Sequence, residues 1–550
     1  MIPFRIVFCL GFITLALTPV CAAPPTITYL YPAGTQRGTS ADVTMGGSFD
    51  PWPPKLWVSD QALTVVAGKD KGKLTVTATK DAVPGVYWLR SHNDEGVSGL
   101  RPFIVGLLPD VKEVEPNNDA KKPQVIDGNA VVNGRFDKSH DVDCYRVTLK
   151  KGQTLVASME SHQNLKSPAD AILQIVGTDG YVFVENHDFH GLDPQIVYTI
   201  PKDDSYIVRT FAFPSSPDSS IHYYGSDAAV YRLTLTTGPY AEFAVPLAAS
   251  EAQLKTPGVR VEGWNLTKGL RLTNPIVPKG SSHATLFAPE LANPLRVRIQ
   301  DFPSTVDGEP EGKPVPYQVP FTVTGRLANE NAISTYKVPL KKGQAIRIEV
   351  ESRSLGLSVN PVIEVSGTDE NRKFRKFNHN EQEKPDDDTA SNFTAPVDGD
   401  YSITVNDIYG GGGGLRDSFL LRVTPQLPDY ELTVAADRFT IVPGKPTVIP
   451  VKVVRKFGFA KPVDVIAEGL PAGIKFEITP PAKPDPNGIT ITLTADKPVS
   501  GMFRLIGHVK TEPKLSRVVH AQVPEWATLP IPDLWVTVTN PPPPPAPPKK

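Results

Sequence analysis

Seven consecutive residues, Glu113-Val114-Glu115-Pro116-Asn117-Asn118-Asp119, carry five oxygen-bearing side chains. Further along, Asp141-Val142-Asp143 sets two carboxylates on one side of a strand, because successive strand residues face opposite ways. Asp143 has the parity of Tyr145, Val147 and Leu149, which reads as the core-facing set. An acid at the margin of a core face raises the free energy unless it is paired. A hard cation with six to eight oxygen ligands would satisfy it and tie the acidic run to the strand. The same residues also read as a turn whose Glu-Pro-Asn-Asn side chains cap the backbone, with the aspartates solvated. Both readings stand on the sequence.

Other reactive residue types lack a chemical context. His187-Asp188-Phe189-His190 places ligand types in a loop, with His222 elsewhere, but one turn makes no site and the loop reads as solvated. Cys144 has the strand parity of Arg146, Thr148 and Lys150, so it reads as a small residue on the polar face without a histidine to activate it. Gly38-Thr39-Ser40-Ala41 reads as a β-turn. The sequence has no His-Glu-x-x-His, no Gly-x-Ser-x-Gly and no phosphate loop. No catalytic residues are assigned.

The strand that carries Asp143 belongs to a repeated unit. Gly134 and Gly325, Tyr145 and Tyr336, and Gln153 and Gln344 are each 191 positions apart, within the runs Tyr145-Arg146-Val147-Thr148-Leu149-Lys150-Lys151-Gly152-Gln153 and Tyr336-Lys337-Val338-Pro339-Leu340-Lys341-Lys342-Gly343-Gln344. Asp204-Ser205-Tyr206 is likewise echoed by Gly399-Asp400-Tyr401. The acids are not shared, since Asp141 and Asp143 become Ala332 and Ser334. A common scaffold with unshared carboxylates marks the place where the copies have diverged in use.

Short apolar runs rich in Val, Ile, Thr and Tyr, broken by 57 prolines in 550 residues, predict an all-β protein of tandem β-sandwiches, Ig-like and jelly-roll-like, joined by short linkers. The expected division is a signal peptide at 1–22, an Ig-like domain at 24–107, the first repeat sandwich with its acidic linker at 108–240, a degenerate Ig-like domain at 241–302, the second repeat sandwich at 303–426, a C-terminal Ig-like or fibronectin-like domain at 427–540 and a proline-rich tail at 541–550. Gly410 to Gly414 reads as a flexible loop unable to supply a packed surface. Tyr223-Tyr224 and Tyr231 read as packing residues that could alternatively form a protein-binding patch.

Arg5, an apolar run from Val7 to Leu17, and Pro19-Val20-Cys21-Ala22-Ala23 have the layout of a secretory signal cleaved near Ala22. This predicts a secreted, periplasmic or cell-surface protein with no membrane-spanning segment after signal removal. Cys144 would then be the one cysteine certain to remain, so no disulfide framework is expected. A formal charge of −2 offers no basic field for nucleic acid.

Taken together, the acidic linker, Asp141-Val142-Asp143-Cys144-Tyr145-Arg146-Val147, Leu149-Lys150-Lys151-Gly152-Gln153, Gly177-Thr178-Asp179-Gly180 and Tyr206-Ile207-Val208-Arg209 resemble the bacterial pre-peptidase C-terminal (PPC) domain. The resemblance covers about 113–237 well and about 315–424 more weakly; 24–107 resembles an IPT/TIG module. It implies a β-sandwich that does no chemistry itself, with calcium held by Glu113, Glu115, Asn117 and Asp143, and by Asp141 and Asp119 as accessory ligands. In the second copy only Glu309-Pro310-Glu311 survives of the linker, so a second calcium site is not expected. The implied role is a non-catalytic exported protein that binds or presents an extracellular or envelope protein or polysaccharide. The alternatives are an accessory subunit or fragment of a secreted peptidase system, and a structural spacer of the envelope.

Overall fold

The computed structural model describes residues 23–540 apart from 218, 220–221, 256–257, 278–281, 308–315, 370–371, 380–387, 480–486, 513 and 525–530. The expected leader, the proline-rich tail and Glu309-Pro310-Glu311 lie outside these residues. The chain is all-β: among the described residues its helical segments are the single turns His162–Leu165, Glu251–Leu254 and Arg353–Leu355. None is long and apolar enough to cross a membrane.

The repeated sequence folds into two sandwiches of one topology. In the first copy, one sheet runs Asp110–Lys112, Ala130–Arg135, Val230–Thr236, Thr154–Glu160, Gln195–Thr199. The facing sheet runs Gln124–Val125, Asp143–Leu149, Asp204–Pro214, Ala169–Gly177, Val182–Asn186. In the second copy the order recurs as Ser304–Val306, Phe321–Arg326, Ser418–Pro425, Ala345–Glu351, Thr389–Thr394 against Ser334–Leu340, Gly399–Asp407, Pro361–Asp369, Arg372–His379. Period-two alternation explains the inward faces, with Tyr145, Val147 and Leu149 buried while Arg146 and Thr148 are exposed. Their partners across the core include Leu155, Ala157, Leu233 and Leu235.

Several devices recur in both copies at positions the sequence offset hides. Tyr206 Oη donates to Lys202 O at 2.9 Å and Tyr401 Oη to Val397 O at 2.8 Å, each bracing the turn into its strand; Tyr87 does the same for Val83 O at 3.0 Å in the first sandwich. Asp193 accepts the N–H groups of Ser161, His162 and Gln163, and Asp388 those of Ser352 and Arg353. These acids hold a helical turn in both copies, so they belong to the scaffold.

Three expectations need correction. Cys144 is fully buried, because Ala120 of the linker and Val142 cover the end of its sheet face together with Val176 and Ile207. Phe189 and His190 are half-buried rather than solvated. The Arg416 guanidinium lies 3.7 Å over the Phe189 ring, donates to Phe189 O at 2.7 Å and sits 3.5 Å from Glu242, which is 3.7 Å from His190 Nε2. Burial holds His190 down at about 4, so it is neutral at this three-way junction. Finally, the Gly410–Gly414 segment is tied down, with Asp407 accepting the N–H groups of Tyr409 and Gly411 and Asn331 N donating to Gly410 O.

Successive sandwiches touch, and the last touches the first. Buried Arg232 of the first repeat sandwich bonds Asn133 Oδ1 at 2.7 Å and Asp110 at 2.9 Å, and presses on the strand Gly34–Gln36. Asn265 Nδ2 donates to Thr154 O, Leu247 N to Thr324 Oγ1, and Arg347 lies 5.6 Å over Phe457. Arg90 reaches Asp437 at 2.6 Å, closing the series.

A methyl group at Gly34 would lie 2.2 Å from Arg232 Nη1 and 2.3 Å from Ile104 O. Gly34→Ala is therefore expected to destabilise the contact between the first two sandwiches by about 1–3 kcal/mol. The check is a fall in the midpoint of the first thermal transition; an unchanged midpoint would show that the contact yields freely.

Candidate metal centre

The linker is held against the sandwich by backbone pairing at both ends. Asp110–Lys112 lies parallel to Ala130–Arg135 and Gln124–Val125 parallel to Asp143–Leu149, so the intervening acidic run must cross the open end of the core. Glu113 N donates to Asn133 O and Cys144 N donates to Asn117 O, which fixes the run beside the start of the Asp143 strand. Glu113, Asn117, Asp141 and Asp143 are all buried there, the last two completely. One oxygen each of Glu113, Glu115 and Asp143 lie within 4.8 Å of one another, and the same holds for Glu115, Asp137 and Asp141.

Two tyrosines close the inner side. Tyr145 Oη is 2.7 Å from Glu113 Oε1; Tyr231 Oη is 2.6 Å from Asp143 Oδ2 and 3.1 Å from Glu113 Oε1; the two hydroxyl oxygens are 2.5 Å apart. Four short oxygen contacts thus share two phenolic protons. Glu113 Oε2 accepts the Arg135 N–H at 2.9 Å. The Arg135 guanidinium points elsewhere, over Tyr31 at 4.9 Å and to Asp227 at 3.0 Å. Among the described residues no ion pair reaches Glu113, Glu115, Asp141 or Asp143; at the outer rim Lys138 pairs with Asp137 at 3.3 Å.

The inner pair, Glu113 and Asp143, therefore has no ion-pair partner among the described residues, and donors are scarce as well. Asp143 Oδ1 and Asn117 Oδ1 are buried with no hydrogen-bond partner. Each such oxygen costs about 1–3 kcal/mol if nothing meets it. Burial, followed by the neighbouring charge of Glu113, drives Asp143 well above the usual carboxylate range. Burial also raises Glu113, and pushes Asp141 up to about 6. Two remedies exist: a proton held between the carboxylates, or a cation. The available donors are hard oxygens alone, a set suited to calcium or magnesium rather than a softer metal.

The predicted residues separate cleanly. Glu113, Glu115, Asn117, Asp141 and Asp143 come together, although Asp141 is also engaged by Asn118 Nδ2 at 2.8 Å and Asp137 N at 2.7 Å. Asp119 does not join them: its carboxylate accepts Lys121 N and it caps its own turn. The turn-capping reading holds for Asp119 and in part for Glu115, which accepts Asn117 N at 2.9 Å. Sequence reasoning missed Asp137, Tyr145 and Tyr231 as members of the cluster. Tyr231 is wholly buried in it, so it offers no surface patch.

The second copy shows what divergence removed. Asp307 follows the strand Ser304–Val306 as Glu113 follows Asp110–Lys112, and its N–H donates to Thr324 O as Glu113 N does to Asn133 O. Tyr336 Oη donates to Asp307 at 3.1 Å. Gly325 pairs with Phe419 where Gly134 pairs with Tyr231, and Ser334 replaces Asp143. Among the described residues the Asp307 carboxylate and the Tyr336 hydroxyl satisfy each other. Asp307 lies 194 positions beyond Glu113, the offset that also relates Glu309-Pro310 to Glu115-Pro116, and is an aspartate where the first copy has a glutamate.

No protein-family model matches the sequence, and no curated protein does. Among solved structures, a DUF4785 family protein from Legionella pneumophila is 12% identical, with 38% of this chain and 68% of that chain covered and a TM-score of 0.14. SGBP-B from a xyloglucan utilization locus in Bacteroides uniformis is 10% identical, with 39% and 73% covered and a TM-score of 0.15. The N-terminal eight Ig domains of Down Syndrome Cell Adhesion Molecule are 10% identical, with 90% and 63% covered and a TM-score of 0.13.

The raised carboxylates give a signed pH dependence. In the unfolded chain they titrate near 4, so between that value and about 6 the folded protein holds more protons and loses stability as pH rises. In chelator, melting temperature is expected to fall from pH 4.5 to 6.5, and Asp143→Asn to reduce the slope. A flat or rising profile unaltered by the substitution would show that burial of the cluster is already compensated.

Proposed function

We propose that the chain is a non-catalytic, exported multidomain β protein that binds or presents an extracellular or envelope partner, and that calcium stabilises its first repeat sandwich. The observation that carries the calcium reading is the pair of orphaned buried oxygens, Asp143 Oδ1 and Asn117 Oδ1, beside three converging carboxylates. Glu113, Glu115, Asn117 and Asp143 would hold the ion, with Asp141 orienting the run through Asn118. The residues that resemble the PPC domain point the same way. Export follows from the signal-like start, and the domain divisions at 24–107, 108–240, 241–302, 303–426 and 427–540 are part of this reading.

A calcium ion here would do structural work, replacing the missing positive charge and fastening the linker across the open core. A role in binding or presentation accords with a chain of sandwiches that carries no recognisable catalytic motif. A pull-down with the full chain from envelope and culture medium tests the partner class; recovery of neither protein nor polysaccharide would favour a spacer.

Calcium at 100 times its dissociation constant is expected to add about 2.7 kcal/mol to the stability of the first repeat sandwich. Asp143→Ala should remove that gain and Asp307→Asn should leave it intact. Thermal melts with calcium and with chelator decide it, and a gain that survives Asp143→Ala contradicts the site.

A further inference from the structure

The contact between the first and last sandwiches joins residues 347 positions apart and is built around one buried ion pair. Arg90 Nη2 donates to Asp437 Oδ2 at 2.6 Å, its Nη1 donates to Ser98 O at 3.0 Å, and both side chains are almost wholly removed from solvent. Aromatic rings surround it: Trp57 meets Trp535 edge-on at 6.3 Å and His92 lies 4.9 Å from Trp535. Leu100, Trp57 and Trp88 pack on the core of the last sandwich. Tryptophans from opposite ends of the chain are thus used to bind the chain to itself.

The contact is imperfectly made. Ser91 Oγ and His92 Nδ1 are buried beside it without a partner, and two charges have been taken out of water. Each sandwich also has a core of its own, with Leu30, Met45, Leu74 and Phe103 in the first and Tyr430, Ile449, Leu493 and Leu505 in the last. Parting them would leave both cores standing.

We propose that this contact is a clasp: the Arg90–Asp437 pair keys closure of the last sandwich on the first, and the contact opens here, before any sandwich unfolds, uncovering the face formed by Trp57, His92 and Trp535. Charge matching gives the clasp its register. Removing Asp437 strands the buried Arg90 charge, whereas replacing both with apolar residues restores a face that closes; Arg438, 3.9 Å from Asp437, is half-exposed and can turn to water.

Small-angle scattering of the full chain tests this. Asp437→Leu should weaken closure about 100- to 1,000-fold and raise the radius of gyration with the far-UV β signal unchanged, while Arg90→Leu/Asp437→Leu should return it to the wild-type value. A single variant as compact as wild type, or a double variant as open as the single one, overturns the proposal. Should Asp437→Leu not fold, the wild type under denaturant gives the answer: tryptophan emission should shift red before β signal is lost, and coincident transitions contradict a clasp.

Discussion

Two carboxylates buried against two tyrosines, with no protein cation in reach, set the terms for the first repeat sandwich. Asp143 occupies a core-facing position because strand parity puts it in line with Tyr145, Val147 and Leu149. Glu113 is brought opposite by the parallel pairing of Asp110–Lys112. Neither carboxylate can retreat to water without breaking a sheet, so the charge must be met where it is. Everything around the pair responds to that demand, including the Arg135 N–H, the two phenols and the amide of Asn117, whose nitrogen approaches Glu113 at 3.4 Å.

The duplicated scaffold separates acids satisfied by backbone donors from those left with an unmet oxygen. Asp193 and Asp388 occur in both copies, and each is satisfied by backbone donors at a helical turn. Asp143 occurs in one copy only and keeps an oxygen unmet. In the other copy, among the described residues, Ser334 and Phe419 replace Asp143 and Tyr231, and the Asp307 carboxylate meets the Tyr336 hydroxyl. The same topology therefore tolerates both states, and the carboxylates are a choice made by one copy rather than a need of the fold.

Much of this was legible in the residues. Period-two alternation located the strands and predicted the inward face of Asp143, and the repeat located both sandwiches. What stayed hidden depends on contacts between distant segments. Cys144 has a polar-face parity, but the linker lies over it. Phe189 and His190 read as loop residues until Arg416, 227 positions away from Phe189, closes on them. Tyr231 carried no local mark of its place because its acid partners come from the linker and from another strand. Asp307 lay just ahead of the Glu309-Pro310-Glu311 echo and differs in type from Glu113, so the linker match did not reach it.

A cation completing the Glu113, Glu115, Asn117 and Asp143 cluster would displace a proton held there in its absence. Calorimetric titration of calcium into the chelator-stripped full chain, repeated near pH 6 in buffers of differing ionisation enthalpy, measures both the number of ions and the protons released. The account predicts one saturable site with a heat that depends on the buffer. Absence of binding, or two equivalent sites binding without proton release, would contradict it.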